Sequence, residues 1–497
     1  MDLLVGIGNA LAFENLIYAF VGCFLGTLVG VLPGLGPVSA MAILFPFVGV
    51  LPPTALIIVL VSIYFGCQYG GSTTAILMNV PGELSSVATA VDGYQMTRQG
   101  RAGPALAMAA IVSFIAGILG CIATALLGPS LARVALEFGP AEYLGLGLFS
   151  LTAVSGLAGK SILRGILMSL AGMILAMVGY DMSGNISRMT FGSMEMTYGF
   201  NLVPVMIGLF GVAEMLRLLE ESKNGSARPS AIGSLMPSMQ ELKSGIAAGL
   251  RATVLAFPLG LLPGMGPGPS AFLAYSFEKQ RSKTPERFGK GAIEGVAAPE
   301  AANNAAAMGH IVPLLALGIP TSASMALILA ALTIYGLVPG PLMFTQHAEF
   351  TWTIIGSFFV GNVILLVLNL PLVGLWARIA TIPMPIMAPL VLVVCAVGSY
   401  TVRHSMFDVW VTAVFGIIGW LLSRSGWPMP PLILAFILGP MIELSSRQVW
   451  QIEGPGLLLH RPIFLGFVAA GLVILVLFGR RMWKAAAKAG VSEEAAD

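Results

Sequence analysis

Along most of this chain the apolar positions neither alternate with polar ones nor keep to one helical face. They run on unbroken for about the 20 residues that a helix needs to cross hydrocarbon. "AVGSYTVRHSMFDVWVTAVFGIIGWLLS" and "PIFLGFVAAGLVILVLFG" are two of many such runs. Merged and split at Pro and Gly, they amount to roughly ten to twelve segments. They are far longer than the roughly ten-residue alternating strands of an outer-membrane barrel. The pattern predicts an all-α polytopic membrane protein, with about 10–12 transmembrane helices whose backbone polar groups are satisfied within each span.

Two interruptions of the pattern resemble each other. "VLPGLGPVS" at 31–39 is matched by "LLPGMGPGPS" at 261–270, with Pro33, Gly34, Gly36 and Pro37 falling on Pro263, Gly264, Gly266 and Pro267. Further on, "YGGSTTAILMNVPGELSS" at 69–86 is echoed by "MGHIVPLLALGIPTSAS" at 308–324, with Gly70 and Pro81 against Gly309 and Pro320. Each half thus carries a Pro/Gly-broken helical hairpin followed by a second interruption dense in Ser and Thr. Non-helical backbone at membrane depth is tolerated where protein or a wet cavity satisfies it. Corresponding broken segments in two halves point to the midplane site of a secondary transporter. A single such motif reads equally well as a kink between packed helices; the duplication favours a site.

Composition agrees with the pattern: 57% of the residues are hydrophobic and 10% charged, with mean hydropathy +0.90. A soluble domain has roughly a quarter charged residues. Cys23, Cys67, Cys121 and Cys395 stand singly without CxxC spacing and read as small core residues. The start lacks a basic stretch and carries Glu14 early, so the first helix is expected to insert without cleavage.

The net charge of +2 is uninformative, but its distribution is not. No Lys or Arg precedes Arg98, whereas Arg217, Lys223, Arg228, Lys243 and Arg251, and then Lys279, Arg281, Lys283, Arg287 and Lys290, crowd two loops. By the positive-inside rule both loops are cytoplasmic. The expected organisation is a first transmembrane half at 1–216, a cytoplasmic linker at 217–244, a second half at 245–480 and a cytoplasmic tail at 481–497. The stretch from 245 to 278 must enter and leave on one side. Its two arms of about 25 Å each suit a hairpin with a deep tip, although two short tilted spans fit nearly as well. One copy is flanked by basic residues and the other is bare of them, which predicts that the repeats are inverted across the membrane.

At such tips Gly lets a ligand approach backbone, and a helix starting after Pro37 or Pro267 offers N–H groups to an anion. Ser39, Ser85, Ser86, Ser270, Thr321 and Ser322 add hydroxyls beside the breaks. With Pro33, Gly34, Gly36, Pro37, Pro81, Gly82, Pro263, Gly264, Gly266, Pro267 and Pro320 they form the candidate substrate site for a carboxylate. Each hydroxyl taken singly also suits a bond back onto its own helix. Asn79, Thr89, Glu300, Asn303 and Asn304 are candidates for a coupling ion such as Na⁺, the amides having a competing role in tying helices together. Glu83 lies beside them, Asp92 reads as a cap, and Glu443 and Arg447, four apart, read as a structural ion pair. His310 stands alone and reads as a packed polar residue.

"SGLAGKS" at 155–161 lacks the first Gly of a phosphate loop, that position being Val154. There is no HExxH, no GxSxG elbow and no Cys/His cluster, so no cofactor is expected beyond a possible Na⁺. Basic loops that obey membrane topology do not imply nucleic acid. An anion channel remains an alternative; an intramembrane enzyme would require distant groups such as Ser72 and His310 to meet.

The blocks "GVLPGLGP", "YGGSTTAILMNVPGELSSVATAVDGYQMTRQGRAGPALA", "MTFGSMEMTYGFNLVPVMIGLFGVAEML" and "GAIEGVAAPEAANNAAAMGHIVPLLALGIPTSASMA" resemble the signature blocks of the large membrane subunit of the tripartite tricarboxylate transporters. The likeness runs in order over nearly the whole chain. It implies a non-enzymatic permease of the bacterial inner membrane, working with a small four-helix membrane subunit and a periplasmic solute-binding protein. Such a permease imports carboxylates such as citrate on an ion gradient. One departure is "GIPTS" at 318–322, where Thr321 replaces the family's usual Gly.

Overall fold

The apolar runs fold as helices that end where Pro, Gly or Asn interrupts them. The computed structural model describes residues 2–32, 36–45, 50–157, 161–181, 184–221, 234–379 and 384–476. Among these, eight helices are long and apolar enough to cross a membrane, and four shorter apolar helices accompany them. The polar interruption at 179–201 contains two strands, β1 (Gly179–Asp181) and β2 (Ile186–Arg188), paired antiparallel with Tyr180 opposite Ser187. All four cysteines are free and buried.

The chain forms two compact units, each drawing on both halves of the sequence: Met1–Ala135 with Val203–Trp420, and Leu136–Leu202 with Leu421–Asp497. In the second unit, Pro140–Leu157, Ile162–Ala176 and Met429–Gln448 pack against one another. Gly172 permits the approach, since a Cβ there would lie 2.0 Å from the Leu432 carbonyl oxygen. Arg447 contacts Asp181 and Glu443, both at 2.6 Å, and Arg188 adds Glu443 at 2.7 Å. The Glu443–Arg447 pair is therefore half of a four-charge network that ties the β-hairpin to its neighbouring helix.

The first unit contains both stretches in which the sequence suggests a duplication. Its first set is α1 (Phe13–Val31), α2 (Pro37–Leu44), α3 (Pro53–Met78), α4 (Ser86–Arg98) and α5 (Ala102–Ala135). The second set is α6 (Met239–Gly260), α7 (Pro267–Arg281), α8 (Ile293–Gly309) continued by α9 (Ile311–Leu317), α10 (Ala323–Ile334) and α11 (Ala348–Asn369). Within each set the first arm of the hairpin lies on the long helix that follows, through glycines that bring backbones together where lipid offers no hydrophobic drive. A Cβ on Gly70 would sit 3.0 Å from the Gly30 carbonyl carbon, and one on Gly309 would sit 3.0 Å from the Gly260 Cα. The same pair of positions makes the same close crossing twice.

The breaks repeat in detail. Asn79 ends α3 at φ 57°, ψ 28°, and Gly318 ends α9 at φ 70°, ψ 21°, both left-handed. The next amide reaches back over the helix end in each case, Val80 N to Thr74 O and Ile319 N to Pro313 O, both at 3.4 Å. The two sets then interlock: α4 packs on α7 and α8, and α10 packs on α2 and α3; α5 packs on α6 and α8, and α11 packs on α1 and α3. Exchanging the sets leaves these contacts unchanged.

The equivalent helices α3 and α8 run in opposite directions. Ser72 meets Glu300, while Tyr64, earlier on α3, meets His310 just beyond the end of α8. At one end of this unit Gln99 donates to the Lys290 carbonyl at 2.8 Å and Arg101 pairs with Glu241, gathering the basic loops. The corresponding positions elsewhere are joined by Tyr335, whose hydroxyl donates to the Leu51 carbonyl at 2.6 Å. Glu241 also completes a capping box with Ser238 at the start of α6.

Candidate functional site

The arms of the second hairpin, α6 and α7, are clamped by a two-pronged ion pair. Arg251 donates from Nε to Glu278 Oε1 and from Nη2 to Oε2, each at 2.7 Å. The turn between them is held by Gly264, at φ 82°, whose amide donates to the Thr321 carbonyl at 3.3 Å. Thr321 in turn donates from Oγ1 to the His310 carbonyl at 3.5 Å. The hairpin tip thus rests on the second break of its own half.

It also meets the break of the other half. A Cβ added at Gly268 would lie 3.3 Å from Leu84 Cβ and 3.8 Å from Ser85 N; one added at Gly266 would lie 2.9 Å from His310 Cε1 and 3.3 Å from Nε2. Gly266 and Gly268 leave room for backbone and ring to approach. His310 is buried, and its Nδ1 lies 3.1 Å from the Tyr64 hydroxyl. Its Nε2 is buried without a partner among the described residues, beside the Gly266 tip. When Tyr64 donates to Nδ1, the neutral ring holds its proton on Nε2 and directs an N–H toward that tip.

The tip itself offers fewer amides than the expectation of a helix N-terminus suggests. Gly266 is the extended residue before α7, and Pro267 and Pro269 lack N–H groups, which leaves Gly268 as the amide donor of that first stretch. Ser270 is buried and turns its hydroxyl back to the Met265 carbonyl at 3.2 Å. Ser322 caps α10 by accepting from Met325 N at 3.3 Å, and Pro263 and Pro320 are buried in the turns. In the first hairpin Gly36 likewise precedes α2, with Pro37 at its first position. Ser39 donates to the Phe210 carbonyl at 3.1 Å, where Ile207–Val212 form a π-helical stretch. Pro33 and Gly34 lie outside the described residues.

Between the tips, two carboxylates organise a polar core. Glu83, half-buried in the first break with Pro81 and Gly82, accepts from Ser85 and from Asn303 Nδ2 at 3.4 Å. With its amide nitrogen facing the carboxylate, Gln68 donates to Glu83 Oε2 at 2.9 Å and to Asn303 Oδ1 at 2.6 Å. Ser86, against Gly71, has a buried hydroxyl without a partner among the described residues. Gly82 is fixed by contact, since a Cβ would meet the Gly30 carbonyl oxygen at 2.2 Å.

Glu300, on α8 and 1% exposed, accepts from Ser72 at 2.6 Å and Thr89 at 2.5 Å on one oxygen, and from Ser113 at 3.4 Å on the other. No Lys, Arg or His forms a salt bridge with Glu83 or Glu300 among the described residues. Burying a carboxylate without a partner cation is expensive, and such groups inside a membrane mark ion or proton paths. The predicted ion set is therefore divided. Thr89 and Glu300 share one cluster, Asn303 serves Glu83, Asn304 donates to the Glu300 backbone carbonyl at 3.1 Å, and exposed Asn79 is a helix cap.

His310, Tyr64, Gln68 and Ser113 were not among the residues predicted for the site. Tyr64, Gln68 and Ser113 lie in uninterrupted helix, where sequence has no break to flag them, and His310, beside the second break, reads in sequence as a packed polar residue. Ser72 and His310 do not meet: Ser72 is bonded to Glu300, and His310 faces Tyr64.

A family model described as the tripartite tricarboxylate transporter TctA family matches residues 16–434. An Agrobacterium vitis protein, described as an uncharacterized 52.8 kDa protein in the TAR-I ttuC' 3'region, is 44% identical over 478 residues, covering 96% of this chain and 95% of that protein. A second from the same organism, an uncharacterized protein in the TAR-II ttuC' 3'region, is 43% identical over 221 residues, 44% of this chain and 91% of its own length. No solved structure matches.

Proposed function

Since this chain belongs to the tripartite tricarboxylate transporter TctA family, we propose that it is the permease of a binding-protein-dependent secondary importer for tricarboxylates or dicarboxylates such as citrate. A multi-pass membrane protein of this family works with other tripartite components. In this reading they are a small four-helix membrane subunit and a periplasmic solute-binding protein, and the membrane is the bacterial inner one.

The observation that carries the proposal is the meeting of the two halves at their breaks, with Gly268 beside Leu84 and Ser85, while the Gly264 turn rests on Thr321 of its own half. A carboxylate held there meets donors without a fixed positive charge: the Gly268 amide, His310 Nε2 and the hydroxyl of Ser86, the Ser85 proton being given to Glu83. Neutral donors hold an anion firmly enough for selection and loosely enough for release. Antiparallel α3 and α8 support repeats inverted across the membrane, and a pseudo-symmetric pair of that kind can open first to one side and then to the other. The carboxylates of half-buried Glu83 and buried Glu300 suit coupling to a Na⁺ or proton gradient.

The test is uptake of radiolabelled citrate and shorter dicarboxylates into vesicles holding this chain and its small partner, with and without binding protein, under imposed Na⁺ or proton gradients. Binding-protein-dependent accumulation driven by one gradient is expected. Gly264→Val, which forces a β-branched residue into left-handed backbone, is expected to lower uptake at least tenfold while the protein still inserts. Passive flux that ignores both gradients would instead fit a channel.

A further inference from the structure

A cavity of about 20 Å³ adjoins Glu300, room for one water molecule or one dehydrated small ion. Six of its ten lining residues carry side-chain oxygens: Tyr69, Ser72 and Thr73 on α3, Ser113 on α5, Glu300 on α8 and Asn369 at the end of α11. The remainder are Leu106, Ala109, Ala110 and Val373, which add hydrocarbon to its wall. Two of these six residues have a buried side-chain oxygen without a partner among the described residues. The Tyr69 hydroxyl is buried and unpaired, and so is Asn369 Oδ1. The residues themselves are 4% and 7% exposed. The amide of Asn369 is oriented by its nitrogen, which donates to the Leu365 carbonyl at 2.9 Å and to Thr27 Oγ1 at 3.5 Å. The Asn369 oxygen is therefore the end that is left over. The unmet acceptor Asn369 Oδ1, and a Tyr69 hydroxyl free to turn its lone pairs inward, stand beside a buried carboxylate that has no cation partner among the described residues, and they line the cavity with oxygen.

We propose that this cavity is a binding site for a dehydrated monovalent cation, sodium, with the carboxylate of Glu300 as its charge partner and the side-chain oxygens of Ser72, Ser113, Tyr69 and Asn369 as further ligands. Hard cations take oxygen ligands, and a set with one carboxylate and otherwise neutral oxygens neutralises a single charge where Ca²⁺ would draw more carboxylates. Of the alkali ions the smaller, Na⁺, is the one proposed, and the titration below sets K⁺ against it. Ser72 spends its proton on Glu300, and its remaining lone pairs are free for the cation. The ligands come from α3, α5, α8 and α11, two from each repeat set, so filling the site ties the two sets together. For its use in transport the proposal rests on the ion-coupled reading above; binding itself can be measured without transport.

The experiment is a thermal-unfolding titration of the purified full-length chain in lipid nanodiscs. NaCl replaces KCl or choline chloride at constant ionic strength and pH, with no carboxylate substrate present. The expected result is a saturable rise in unfolding temperature with Na⁺ that K⁺ and choline do not reproduce. Glu300→Gln and Asn369→Leu are each expected to raise the half-saturating Na⁺ concentration at least tenfold. A wild-type titration in which Na⁺ and K⁺ act alike overturns the proposal whether or not the variants fold, and leaves a water molecule as the occupant. An unchanged Na⁺ response in both folded variants overturns it too. Vesicle uptake separates this failure from that of the functional reading: Na⁺-specific binding with proton-driven uptake sinks only the coupling role, and gradient-driven uptake without Na⁺ binding sinks only the site.

Discussion

Asp92 is a single residue on which two repeat sets depend. It is fully buried, and its carboxylate accepts from the Tyr275 hydroxyl at 2.9 Å and from the amides of Gly289, Gly291 and Ala292 at 2.7–2.9 Å. It thereby caps the start of α8 from α4, the charge lying where the helix dipole favours it. Asp92→Ala orphans several buried donors, and a loss of about 3 kcal/mol or more is expected, read as lower resistance to denaturant in detergent. Asn79 is a milder case. It occupies the left-handed position that Gly318 fills in the other copy, so Asn79→Gly is expected to be nearly neutral and Asn79→Ala to cost about 1 kcal/mol. Equal effects of the two would mean that its side chain, rather than its backbone, matters.

At the scale of elements, the helix pairs are set by the absence of side chains. A Cβ on Gly30 would lie 2.6 Å from the Cys67 carbonyl oxygen, and one on Gly70 would lie 2.5 Å from the Thr27 oxygen. Both meet backbone, which cannot yield as a flexible side chain can. Gly70→Ala is expected to cost about 1–3 kcal/mol by overpacking and to spread α1 from α3, measured by the same denaturant titration. The hairpin of α6 and α7 depends on the Arg251–Glu278 pair. Because Glu278 is 4% exposed while Arg251 is more than a third exposed, Arg251→Ala strands a buried carboxylate. It is expected to be more damaging than Glu278→Gln.

For the whole molecule, the expected outcome concerns direction. The loop at Val50, exposed and bare of Lys and Arg, and the basic loop at Lys290 each precede the long helix of one repeat. With all four native cysteines buried, Val50→Cys and Lys290→Cys give clean labelling sites. A membrane-impermeant thiol reagent is expected to reach the first from the periplasm and the second from the cytoplasm. Labelling of both from one side would mean that the copies are not inverted.

The sequence by itself determined the class of protein, the two broken hairpins, the second breaks and their spacing. These depend on local chemistry: apolar length, Pro without an N–H, Gly without a Cβ, and the sign of loop charge. It also marked Glu300, Thr89 and the tip glycines, because polar or flexible residues stand out against an apolar background. The tertiary structure decided which of them meet. Asn79, Asn303 and Asn304 look alike in sequence and do three different jobs, since one caps a helix in the open, one serves Glu83 and one bonds its own helix. His310 gained a place beside the Gly266 tip, and Asn369 one beside Glu300, only because helices distant in the chain cross there. Periodicity records which way a side chain faces along its own helix. It does not record what another helix brings to that face, and a buried site assembled from four helices is made of that second kind of fact.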